Sequence, residues 1–183
     1  MTASPPRSAA AADRYLVLLR HAKSSWDDPS REDRERPLNA RGREASRLLA
    51  GWFAGREPPD LVLCSDALRT RQTLEAIAAA FPRRPKAQVE QRLYLASPAA
   101  LLERIAAVPD EVQRLLVIGH NPGMHELAAV LAAHSPQRRR APLERKFPTG
   151  SVASYRFAGA WRDIAEARLT LTEFVTPEML AAE

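Results

Sequence analysis

Three short apolar runs constrain this chain more than any other feature: Tyr15-Leu16-Val17-Leu18-Leu19, Leu61-Val62-Leu63-Cys64 and Leu115-Leu116-Val117-Ile118. Runs of this length between polar residues have the pattern of strands buried on both faces. The segments between them carry helical spacing. Asn39 is placed to cap a helix over 40–54 that Gly55 ends, with Ala45, Leu48, Leu49, Trp52 and Phe53 on one face. Ser65 reads as the cap of a second helix, from Asp66 to about Phe81, striped by Leu74, Ile77, Ala78 and Phe81. Ser97-Pro98 starts a third, which carries Leu101, Leu102, Ile105 and Val108. A short strand is expected over 87–89 and a further helix over about 124–133. His134 to Pro148 reads as a basic, proline-containing loop. Val152 to Phe157 and Leu169 to Phe174 read as closing strands. Strands alternating with helices of this length predict an α/β fold, a mainly parallel sheet with helices on both faces.

A chain of 183 residues suits one domain. Residues 1–13 are Ala-, Ser- and Pro-rich without a long apolar stretch, and are expected to be a disordered leader before a single domain over 14–183. No run approaches the roughly 18 to 20 apolar residues that cross a bilayer, so no membrane role is expected. One cysteine, Cys64, excludes an internal disulfide and fits a reducing, cytoplasmic setting. The net charge of +5 suits acidic substrates. It suits nucleic acid as well, but no nucleic-acid-binding motif accompanies it, which disfavours that function. Arg138-Arg139-Arg140 with Arg145-Lys146 reads as a solvated basic segment. The four histidines do not form a metal site: His120 and His125 lack the i, i+4 spacing of a zinc helix, and no cysteine pair joins them.

The chemistry lies where the apolar runs end. The first run stops at Arg20-His21, the second at Ser65-Asp66-Ala67-Leu68-Arg69, and the third at Gly119-His120. In a parallel sheet the three ends share one edge, where open α/β sheets bind ligands. Two arginines, two imidazoles and a helix start suit a phosphoryl group: guanidinium forks grip its oxygens and free N–H groups add donors. Each residue alone has an ordinary explanation as a loop histidine or a solvated arginine. Their joint placement does not.

Arg20-His21-Ala22-Lys23-Ser24, Ser65-Asp66-Ala67-Leu68-Arg69-Thr70-Arg71-Gln72-Thr73 and Gly119-His120-Asn121-Pro122-Gly123 together resemble the histidine phosphatase superfamily. The superfamily's opening motif is usually Arg-His-Gly. Ala22 in third place, followed by Lys23-Ser24, is similar to the SixA-like branch, known for phosphohistidine phosphatases. Arg36-Pro37-Leu38-Asn39-Ala40-Arg41-Gly42 and Phe147-Pro148-Thr149-Gly150-Ser151 also resemble that branch. The resemblance runs from about Tyr15 to about Pro177. It implies a phosphoglycerate mutase-like fold, three α/β/α layers around a mainly parallel sheet with one antiparallel strand.

It also implies roles. His21 would be the nucleophile that becomes phosphohistidine. Arg20, Arg69 and His120 would hold the phosphoryl oxygens, with no metal and no cofactor. Lys23, Ser24 and Asn121 are candidate substrate-binding residues. Glu90, in a segment that loosely resembles the acid-bearing one of larger relatives, is the candidate general acid. The substrate expected is a phosphorylated protein, such as the phosphohistidine of a phosphorelay or phosphotransfer component, whose P–N bond needs little acid help. The alternatives are a phosphatase of small phosphorylated metabolites and a non-catalytic module that binds phosphate or nucleic acid. The short chain leaves few residues to enclose a metabolite, so an open site is expected.

Overall fold

The computed structural model describes residues 13–182, so nearly all of the expected leader lies outside them. Asp13, counted with that leader, already belongs to the first strand.

Six strands form one sheet: β1 (Asp13–Arg20), β2 (Leu61–Ser65), β3 (Lys86–Glu90), β4 (Arg114–Gly119), β5 (Val152–Ala158) and β6 (Thr170–Val175). Their order across the sheet is β3-β2-β4-β1-β5-β6. The first four run parallel, and β5 is antiparallel to both of its neighbours. This is the mainly parallel sheet that the strand pattern predicts, with the one antiparallel strand that the resemblance implies. The connecting helices are α1 (Ala40–Ala54), α2 (Leu68–Ala78), α3 (Pro98–Ala106), α4 (Gly123–Leu131), α5 (Gln137–Arg145) and α6 (Pro177–Leu180). None of them is long and apolar enough to cross a membrane.

The apolar runs divide between two cores by strand alternation. Leu16 and Leu18 of β1, Leu61 and Leu63 of β2, and Leu115 and Val117 of β4 pack with α3, α4 and α5. Leu19, Val62, Cys64, Leu116 and Ile118 face the other way, onto α1 and α2. Each fully buried leucine contributes about 1.5 to 3 kcal/mol of transfer free energy, so a one-residue slip of a central strand would cost several such terms. The register is therefore firmly set. Arg20 pairs with Gly119, and Cys64 with Ile118, which brings the carboxyl ends of β1, β2 and β4 to one level.

Two predicted caps are in place. The Asn39 side chain accepts from the Gly42 N–H at 2.8 Å, and Ser97 accepts from Ala100 at 3.2 Å. Two expectations are corrected. Ser65 is not the cap of α2: it is the last residue of β2, and the helix starts at Leu68 behind Ala67, which offers no side-chain cap. The 134–148 segment is not a loop. It contains α5, despite Pro142 inside it, because Leu143 is fully buried in the core and Arg140 pairs with Glu144 one turn on. Packing overrides the breaker signal of proline there.

Candidate active site

The strand register and the start of α2 deliver Arg20, His21, Arg69 and His120 to one cleft of about 420 Å3, lined also by Lys23, Ser24, Trp26, Asp33, Arg36, Leu95, Asn121 and Thr149. His21 follows β1 directly and its backbone N–H donates to Gly119 at the end of β4, at 3.1 Å. The Gly150 N–H is shared between the carbonyls of Arg20 and His21, at 3.1 and 3.0 Å. Gly150 holds φ at +79°, and a Cβ there would meet Pro177 at 2.7 Å, so this clamp on the end of β1 requires glycine.

The hydrogen-bond partners assign the imidazole tautomers. His21 Nδ1 lies 2.7 Å from the Ala22 carbonyl, so it carries the proton and donates. That leaves Nε2 unprotonated, and its lone pair accepts from the Arg69 Nε–H at 3.3 Å. Arg69 also reaches His120 Nδ1 at 3.3 Å, and a guanidinium only donates, so that nitrogen accepts. His120 then carries its proton on Nε2 and donates to Ser65 Oγ at 2.7 Å. The two ring centroids are 5.1 Å apart.

Both imidazoles are buried and held neutral. Burial, with the charges of Arg69, Arg20 and Arg36, lowers His21 to about 4 against the opposing pull of the Ala22 carbonyl. Burial, with His21, Arg69 and Arg20, lowers His120 to about 3. A neutral ring with an unprotonated Nε2 is the form of histidine that can attack phosphorus. Arg20 donates to the Phe147 carbonyl at 2.9 Å, while its Nε is buried with no partner among the described residues. A buried, unpaired cationic donor is costly unless an anion meets it.

Sequence reading missed the group that holds Arg69. Asp33 sits in a short 3-10 turn over Asp33–Glu35, accepts from Arg69 at 2.8 Å and from Arg36 at 2.7 Å, and accepts the Tyr94 hydroxyl. Its own backbone carbonyl takes a second Arg69 N–H at 2.5 Å. Burial opposes ionisation of Asp33, but the bonds from Tyr94, Arg36 and Arg69 outweigh it and hold the carboxyl at about 2. Ser65 was also missed in this role, its hydroxyl having been read as a helix cap. Thr73 on α2 accepts the Ala22 N–H at 3.1 Å and fixes the turn after His21. The signal for Thr73 was present, since it lies four residues beyond Arg69 on the same helix face.

Lys23 lines the cleft and is exposed; Ser24 is buried and its hydroxyl accepts from Arg36 at 2.8 Å. Asn121 donates to Phe147 at 2.9 Å, the carbonyl that Arg20 also uses, and its Oδ1 is buried without a partner among the described residues. Glu90 is not brought to the site. It ends β3 beside Ser65, but its carboxylate is gripped by Arg104 at 2.8 Å and by Arg92 at 2.5 Å and lines no part of the cleft. Burial resists its ionisation, yet the two arginines prevail and lower it further, the opposite of what a general acid needs. Burial pushes the Cys64 thiol up to about 12, so it serves as a small core side chain. Among the described residues no three His, Cys, Asp or Glu side chains converge as ligands for a metal.

Comparison with known proteins agrees with this geometry. Residues 16–94 match the model of the histidine phosphatase superfamily (branch 1). An uncharacterized protein of Mycobacterium tuberculosis is 40% identical over 162 residues, 87% of this chain and 99% of that one. The phosphohistidine phosphatase SixA of Escherichia coli is 33% identical over 142 residues, 76% of this chain and 83% of that one. Among solved structures, a provisionally assigned SixA phosphohistidine phosphatase from Nakamurella multipartitia superimposes with a TM-score of 0.80 at 32% identity, covering 92% of this chain and 99% of that one. The protein histidine phosphatase SixA complexed with tungstate follows at 0.71 and 26%, covering 89% and 97%. The sheet order, the converging strand ends and these likenesses place the chain in the histidine phosphatase superfamily, within its SixA-like branch, and make it a phosphatase.

Proposed function

We propose that this phosphatase removes the phosphoryl group from phosphohistidine in a protein, through a phosphohistidine of its own on His21, and that it works in the cytoplasm without a metal. The observation that carries the choice of substrate is the state of the carboxylates. Asp33 is the one carboxylate among the described residues that line the cleft, and three partners hold it ionised; Glu90 lies outside, paired twice. An alkoxide leaving group needs a proton donor in the transition state. A phosphorylated imidazole protonated on its ring departs as a neutral base and does not.

Arg20, Arg69 and His120 surround the position that the phosphoryl group takes in front of His21 Nε2. The unpaired Arg20 Nε gains an oxygen there, and Arg69 spreads charge over the transferring group. Negative charge beside His120 raises its affinity for a second proton, which Nδ1 takes from solvent as Arg69 turns from that nitrogen to the phosphoryl group, and the imidazolium then offers Nδ1–H to a phosphoryl oxygen. The His21 Nε2–P bond forms as the substrate's P–N bond breaks, and the departing imidazole keeps the electron pair. Water then attacks phosphorus, breaks the His21–P bond and releases inorganic phosphate, its proton passing to solvent. Lys23 and Asn121 meet the substrate at the mouth of the cleft, while Ser24 acts by holding Arg36 in place.

The test is turnover of a phosphohistidine protein and of an aryl phosphate, both in excess chelator. We expect the first to be much the better substrate, and an acid-labile, alkali-stable phosphoenzyme that is absent in His21→Ala. Full activity of His21→Ala, or dependence on added metal, overturns the mechanism. Faster turnover of the aryl ester overturns the substrate.

A further inference from the structure

Among the described residues, Trp26 and Leu95, 76% and 52% exposed, are the two exposed large apolar side chains that line the cleft holding His21. They come from separate segments, Trp26 from the loop after β1 and Leu95 from the connection between β3 and α3. Neither is a casual surface residue. Leu95 has φ at +49°, the left-handed conformation that a β-carbon disfavours and that glycine or asparagine would adopt at less cost. The fold thus keeps an isobutyl group half in water on a strained backbone, and such strain collects at functional sites. Trp26 is braced from one side: the Arg36 guanidinium carbon lies 3.1 Å from the centre of its ring. Arg36 is itself buried and fixed by the Ser25 carbonyl, Ser24 Oγ and Asp33 at 2.7, 2.8 and 2.7 Å. The indole is therefore held by the same carboxylate that holds Arg69, while most of its surface stays open.

We propose that Trp26 and Leu95 form an apolar rim that reads the polypeptide around the phosphoryl group and favours an apolar side chain beside the phosphorylated residue. The proposal rests on the phosphohistidine reading above and adds sequence selectivity to it. A hydroxyl-rich metabolite would find at most one hydrogen-bond donor on these two side chains, the indole N–H. A polypeptide that brings its phosphoryl group to His21 must pass over the mouth of the cleft, and an apolar flanking side chain would take both rim groups out of water. An aromatic anchor with little side-chain entropy to lose suits such a contact.

Three substrates test it: a phosphohistidine peptide with leucine on both sides of the phosphorylated residue, the same peptide with serine there, and phosphoramidate, which has no flank. In the wild-type protein the leucine peptide should have about tenfold the kcat/KM of the serine peptide, expressed mainly in KM, as expected for burial of one aliphatic side chain. Trp26→Ala and Leu95→Asn should each bring that ratio near one and should lower kcat/KM for the leucine peptide at least fivefold more than for phosphoramidate. Leu95→Asn suits the left-handed backbone, so it should melt no lower than wild type, which separates lost recognition from lost folding. Equal use of the two peptides by the wild type, or an unchanged ratio in both variants, overturns the rim alone. Hydrolysis of phosphoramidate with neither peptide cleaved overturns the protein-phosphohistidine reading, and the rim with it.

Discussion

The two buried imidazoles should make the folded chain sensitive to mild acid in a way that one substitution removes. In the unfolded chain a histidine titrates near 6.5; in the fold His21 titrates at about 4. Between these values the unfolded chain binds a proton that the folded chain refuses. Stability therefore rises with pH across this window and is lost as pH falls through it. Integrated from pH 7 to pH 4, where half of the folded-state His21 rings have accepted the proton, the loss is about 3 kcal/mol. That is a large part of the 5 to 15 kcal/mol typical of a domain. His21→Asn is the control. Its amide nitrogen stands where ring Nδ1 stood and can keep the bond to the Ala22 carbonyl, but it does not titrate. The substitution acts further through His120, whose depression owes part to His21, so the remaining imidazole accepts its proton with less penalty. Both effects have the same sign. Urea unfolding at pH 7, 6, 5 and 4, extrapolated to water, should show the wild type losing roughly 3 kcal/mol more than His21→Asn, nearly all of it below pH 6.5. Parallel curves that differ by less than 1 kcal/mol at every pH would show that His21 is not buried as a neutral base, and the account of the nucleophile would fall.

Three other substitutions probe the supports of the site. Glu90→Gln should change turnover of an aryl phosphate by less than twofold while lowering stability by about 2 kcal/mol, because the nearly buried Arg104 loses its ion-pair partner; a hundredfold loss of ester turnover would restore Glu90 as an acid. Asp33→Asn should raise KM about tenfold at little cost in stability, since the carboxylate that orients Arg69 is partly exposed and its bonds are worth about 1 to 2 kcal/mol; unchanged steady-state kinetics would remove it from the site. In Gly42→Ala the new β-carbon would lie 2.0 Å from the Lys23 carbonyl oxygen, backbone that cannot swing aside. We expect a loss of about 1 to 3 kcal/mol, visible as a drop of several degrees in Tm, and a melting point equal to wild type would contradict this close approach of α1 to the loop after His21.

What the sequence made legible follows from how position is set. Arg20, His21 and His120 end strands whose neighbours are buried on both faces. The alternation of Leu16, Leu18 and Leu19 with their partners on β4 fixes each strand to a single register. A strand end is thus known to within a residue, and parallel topology makes three such ends meet. Arg69 joined them because a helix start beside β2 is almost as well fixed. Asp33 had no such address. It lies among Asp27, Asp28, Glu32 and Glu35 in a stretch without period, and only bonds to Arg69, Arg36 and Tyr94, each set by the tertiary fold, single it out. Ser65 was misread for a related reason. A serine before a helical pattern is a cap by local rules, but β2 runs one residue further than its apolar run, and the hydroxyl goes to His120 instead. Over 134–148 three prolines outvoted one leucine locally, and burial of Leu143 reversed the vote. The division also explains why the reaction was easier to read than its specificity. The groups proposed to hold phosphate ride on elements whose register the core enforces. The groups proposed to touch the rest of the substrate, Trp26 and Leu95, ride on loops, and no buried pattern announces an exposed residue that lines a cleft.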